Sequence, residues 1–189
     1  MSQYVLARYF GWAVVVLMAM LFSSSNASAS TLVGYWDFNT SSLTRSAGSS
    51  GSMSAAYVTI GSSSFGYTTG TTINAQPSVP AGQAFRFYDF ASLAALGRID
   101  ITGLDLTGLE DPTFSFAMRK NAVIELFDRL EIQYNLNDGN GWQVLNNSSQ
   151  PPDSGSFELH SFSMASISGV DNNPDVDLRI EWEEAISAL

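Results

Sequence analysis

From residue 84 onward the chain alternates apolar and polar side chains with a period of two, in runs too short for ordinary helices. In 84–90, Phe85 and Phe87 oppose Arg86 and Tyr88; in 98–106, Ile99 and Ile101 oppose Asp100 and Thr102. The pattern continues through Phe114, Phe116 and Met118, then through 129–134, 157–162 and 176–182. Successive side chains of an extended chain point to opposite faces, so such a run buries one face and wets the other only as a strand. Two further strands are expected at 31–38, where Val33, Tyr35 and Asp37 alternate with Gly34, Trp36 and Phe38, and at 55–60. The rest of 39–70 is Ser-, Gly- and Thr-rich and reads as loop. Many short strands joined by turn residues predict an all-β, antiparallel two-sheet sandwich.

Three segments are less regular. Val123, Ile124, Leu126, Phe127 and Leu130 fit one helix face, although 129–134 alternates as a strand. The stretch 135–141 contains Asp138-Gly139 and Asn140-Gly141, dipeptides suited to a tight hairpin, with the returning strand at 142–145. A single helical turn is expected at 164–167.

The first thirty residues are of another kind. Arg8 precedes the uncharged apolar run Trp12–Phe22, and a small-residue stretch with Ala27-Ser28-Ala29 follows. This is the layout of a signal peptide, so residues 1–29 are expected to form a signal helix that is removed, leaving 30–189 as one domain. The run falls short of the roughly 20 residues that cross a bilayer, and no second span follows it. The mature part is therefore expected to be secreted, without a transmembrane span.

Composition narrows the chemistry. Of 189 residues 45% are hydrophobic, enough for a core, while the net charge of −10 repels nucleic acid and anionic membranes. With no cysteine, disulfides, thiolate zinc sites, iron–sulfur clusters and cysteine nucleophiles are excluded.

Several short stretches, in order, resemble a known family. They are Tyr35-Trp36-Asp37-Phe38-Asn39; Gly70-Thr71-Thr72-Ile73-Asn74-Ala75 with Pro80-Ala81-Gly82-Gln83-Ala84; Gly108-Leu109-Glu110-Asp111-Pro112 into Phe116; Gln133-Tyr134 before Asn137-Asp138-Gly139; and Ile167-Ser168-Gly169-Val170-Asp171-Asn172-Asn173-Pro174 into Leu178-Arg179-Ile180. As a set they resemble secreted bacterial β-sandwich proteins that often carry a PEP-CTERM sorting tail. The resemblance covers nearly all of 30–189 and implies a jelly-roll-like sandwich exported to a bacterial cell surface, without implying an activity. Relatives of this kind continue to one more strand and to the sorting tail. Neither is present before Leu189, so the expectation is a truncated domain or a dispensable last strand.

Chemistry-bearing residues are few. His160 is the only histidine, and its alternation with Phe157 and Leu159 places it beside Glu158 on an exposed strand face, not in a Ser–His–Asp triad. Asp100, Glu131, Asp177 and Glu181 alternate with apolar residues and are expected in solvent; a glycosidase would need two such acids facing across a cleft. Asp171, Asn173, Asp175 and Asp177 offer oxygens that would suit calcium. The EF-hand glycine and distal glutamate are absent and Pro174 interrupts the run, so an Asx-rich turn explains it equally well. Trp36, Trp142 and Trp182 are the candidate binding residues, as a platform for sugar rings, against the plainer reading of strand tryptophans as core. The expected function is a non-catalytic secreted or cell-surface domain binding polysaccharide or extracellular matrix. The alternatives are a secreted carbohydrate-active hydrolase using paired carboxylates and a purely structural module of a surface protein.

Overall fold

The alternating runs become strands because each pairs its backbone on a sheet while placing its apolar residues on one buried face. A computed structural model describes residues 13–19, 31–57, 64–77, 79–88, 96–121, 127–148 and 155–184. Its strands are β1 (Ala13–Ala19), β2 (Gly34–Trp36), β3 (Ala47–Gly48), β4 (Ser52–Tyr57), β5 (Ser64–Thr69) and β6 (Gln83–Tyr88). They continue with β7 (Leu96–Leu104), β8 (Thr113–Asn121), β9 (Phe127–Asn135), β10 (Gln143–Ser148), β11 (Glu158–Ser163) and β12 (Val176–Glu184). No helix occurs among the described residues, and none there is long and apolar enough to cross a membrane.

Every strand pair is antiparallel. One sheet runs β11–β8–β1, and the far edge of β1 pairs with both β2, which leads to β3, and β6, which leads to β5. The other runs β10–β9–β12–β7–β4. Both sheets feed one buried cluster: Phe85, Phe87, Phe114 and Phe116 from the first, Ile99, Ile101, Ile132, Leu178, Ile180 and Trp182 from the second. Phe87 meets Trp182 edge-on, ring centres 4.2 Å apart. Each of these large side chains contributes about 1.5–3 kcal/mol by leaving water, so the cluster dominates stability. Trp182 lies across its cross-strand neighbour Gly97, where a Cβ would come within 2.2 Å of the indole nitrogen. A glycine inside a strand here makes room for the largest core side chain.

Four expectations change. Ala13–Ala19, read as part of a signal helix, form a strand instead; the β-branched run Val14-Val15-Val16 suits extended backbone, and neighbours pair with both its edges. The rest of 1–29 lies outside the described residues. The Ser- and Gly-rich stretch after Asn39 holds β3, the start of β4, and β5, whose Phe65 and Tyr67 lie against Phe85. The expected tight hairpin is a wider loop, since Tyr134 pairs with Gln143 and the intervening Asn137, Gly139 and Gly141 all have positive φ. At 164–167 there is no helix but the first of successive turns, Ile167 N–H donating to Met164 C=O and Val170 N–H to Ile167 C=O. The helical option for 122–134 ends at Phe127, where β9 begins; 122–126 lies outside the described residues.

Candidate functional site

On β7, β9 and β12, apolar residues take the core face, so the intervening residues share the outer face of the second sheet. Register sets them in rows: Asp100, Arg179 and Gln133 lie side by side, as do Arg98, Glu181 and Glu131. Asp100 joins the rows. Its Oδ1 accepts from Arg179 Nε at 2.6 Å, and its Oδ2 lies 2.9 Å from Arg98 Nε. Arg129 and Gln133 each donate to Glu131, one to each carboxylate oxygen. Glu131 is only 4% exposed, which corrects its expected place in solvent; the two donors are what make a buried carboxylate tolerable.

Trp142, in the loop before β10, closes this face. The Arg179 guanidinium carbon stands 3.9 Å from the indole centre, a cation–π contact that takes one face of a ring still only half-buried. On the core-facing side of β9, Tyr134 Oη donates to Gln143 Oε1 at 2.9 Å. The result is an aromatic side chain held rigidly beside a plane of fixed donors and acceptors. The other two candidate tryptophans are elsewhere. Trp36 and Trp182 are 0% and 1% exposed, and a buried ring offers no face to a sugar. Of the three candidate tryptophans only Trp142 is not fully buried, and it stands beside Arg179. The polar partners on this face escape notice in the sequence because a single strand shows only spacing of two, as in Arg98/Asp100 and Arg129/Glu131/Gln133; the cross-strand rows exist only once register is set.

Of the suspected calcium residues, Asp171, Asn173 and Asp177 hold loops together through their side chains, while Asp175 takes part through its backbone. Asp171 Oδ1 accepts from the Asp111 N–H at 2.9 Å, and Asn172 Oδ1 from the Gly108 N–H at 2.9 Å. Asn173 Nδ2 donates to Leu136 C=O at 3.3 Å and Gly169 C=O at 3.1 Å, while its Oδ1 caps the Asp175 N–H at 2.9 Å. Asp177 Oδ1 accepts from the Gly103 N–H at 2.9 Å, and its Oδ2 from Asn137 Nδ2 at 3.3 Å. These bonds reach out to separate loops instead of converging on a point. Among the described residues no three His, Cys, Asp or Glu come together as a metal site. The Asx-turn reading describes the segment.

His160 also differs from its expected position. It is half-buried and stacks on Phe116, ring centres 5.2 Å apart at 14°, while Leu159 turns outward and is 54% exposed. Burial holds its pKa below the ordinary 6.5, and the Glu158 carboxylate opposes the shift. A shallow depression elsewhere is lined by Leu43, Thr44, Arg45, Gly51, Ser52 and Met53.

Comparison with family models, curated proteins and solved structures finds no match to this chain.

Proposed function

We propose that the chain is a non-catalytic, exported bacterial surface domain, folded as a jelly-roll-like sandwich, that binds polysaccharide on the outer face of its second sheet. The observation carrying this reading is the half-buried Trp142, fixed by Arg179 beside Asp100, Arg98 and Gln133. Sugar rings present an apolar face and a rim of hydroxyls, so a site for them combines one rigid aromatic surface with fixed polar partners. The paired-carboxylate alternative has one feature in its favour, since Glu131 and Glu181 are directly opposed on neighbouring strands. Against it, both Glu131 oxygens accept from Arg129 and Gln133, which suits a structural tie better than a free acid or base.

The test is to screen the full chain on a polysaccharide array, with and without calcium, while assaying released reducing ends. Binding without turnover, lost in Trp142→Ala, is the expected result. Sugar release would favour the hydrolase, and binding that survives Trp142→Ala would move the site elsewhere.

A further inference from the structure

The loop between β9 and β10, which delivers Trp142, is open to solvent at Asn137, Asp138, Gly139 and Asn140. Asn140 is the only asparagine of the chain followed by glycine. That order matters chemically. A backbone nitrogen can close a ring on the side chain of a preceding asparagine, and a glycine nitrogen is the least shielded from doing so. Two features leave the Gly141 nitrogen open here. A Cβ built at Gly141 would meet nothing within 4 Å, and among the described residues no acceptor engages its N–H. One contact acts as a brake: Asn140 Nδ2 donates to Asp138 Oδ2 at 2.9 Å, beside the Asn140 N–H donating to Asp138 Oδ1 at 3.0 Å. Both bonds are exposed, where water replaces them at little cost, so they slow the turning of the carboxamide without blocking it. The adjoining Asp138-Gly139 is spared. Those bonds hold the Asp138 carboxyl below the usual carboxylate value, and an ionised carboxylate resists attack.

We propose that Asn140-Gly141 is a self-modification site, at which the folded chain converts Asn140 to aspartyl and isoaspartyl forms and thereby loosens the loop that presents Trp142. The Gly141 nitrogen attacks Asn140 Cγ, forming a C–N bond as its proton passes to water. The Cγ–Nδ2 bond breaks, and the side-chain nitrogen leaves as ammonia. Water then opens the cyclic imide at either carbonyl, so the sum is amide plus water to carboxylate plus ammonia, with no change of oxidation state. Either product loses the Nδ2 donor and sets a second carboxylate beside Asp138, where like charges oppose one another. The isoaspartyl form also adds a methylene to the backbone just before Trp142, whose ring centre stands 3.9 Å from the Arg179 guanidinium carbon. The consequence for sugar binding rests on the reading of Trp142 given above; the conversion itself does not.

The full chain is kept folded at neutral pH for days, and its peptides are mapped by mass. The amide-to-acid gain is expected first at Asn140, while Asn140→Gln shows none there because its longer side chain closes the ring slowly. Asp138→Ala, which releases the brake, is expected to convert about two- to tenfold faster. Conversion that starts at another asparagine, or only after urea unfolds the chain, overturns the site; an equal or slower rate in Asp138→Ala overturns the brake. For the loop, Asn140→Asp is expected to exchange its amide hydrogens across 137–142 faster than the unaltered chain, and equal exchange overturns the loosening. Weaker polysaccharide binding by Asn140→Asp is expected as well, and equal binding overturns the link to Trp142. A chain that binds no polysaccharide removes the binding reading alone, since mapping and exchange are read without sugar.

Discussion

At the residue scale, the decisive contacts are those in which a side chain occupies a place made for it. Gly97 gives Trp182 its resting surface, so Gly97→Ala must displace the indole or the strand, and a loss of about 1–3 kcal/mol is expected in urea denaturation. His160 predicts a pH dependence. Its folded pKa is depressed, so the native state disfavours the proton that the unfolded chain accepts near 6.5. Stability is therefore level above that value and falls as pH drops from it toward the folded pKa, and His160→Gln should flatten this slope. Asp105 and Asp138 titrate below the usual carboxylate value, held there by hydrogen bonds from Thr107 and Asn140, so they do not share this window. Trp142 should behave unlike Trp182. Trp142→Ala removes a cation–π contact worth about 0.5–1 kcal/mol, whereas Trp182→Ala opens the core at a cost of about 3–5 kcal/mol, a difference thermal melts can read.

At the element scale, the strands legible in the sequence were those with strong apolar alternation: β6, β7, β8 and β12 lie close to their expected spans. β3 and β5 were hidden because Ala, Gly, Ser and Thr carry little hydrophobic contrast, and their pairing comes from neighbours already in place. For β1 the difficulty was opposite. An uninterrupted apolar run suits an export leader and an extended strand equally, and only pairing distinguishes them. β11 misled by one residue: Phe162 and His160 line up with Phe114 and Phe116, so the polar histidine faces inward and Leu159 outward at a sheet edge. The loop end makes its own prediction. Asp177→Ala strands the Gly103 N–H, while Asn137 keeps the Asp175 C=O as acceptor, and a loss of about 1–2 kcal/mol is expected, while millimolar calcium leaves the melting midpoint of the unaltered chain unchanged.

At the scale of the whole molecule, one apolar cluster fed by two antiparallel sheets leaves the outer face of the second sheet free for polar rows, because each strand there has one face committed to the core. The candidate site was legible only in part. Trp142 was singled out in the sequence with Trp36 and Trp182, but composition cannot tell a tryptophan that ends a loop from one that fills a core. Its partners Arg179, Asp100 and Arg98 come from β12 and β7, both distant in the chain, so no local motif joins them.

The most direct test is a calorimetric titration of the best array polysaccharide into the full chain and into Trp142→Ala, with reducing ends followed in the same samples. Saturable binding by the unaltered chain, weakened at least about tenfold in the folded variant and without sugar release, is the predicted result. Equal binding by both proteins, or release of product, would contradict a non-catalytic site built on Trp142 and Arg179.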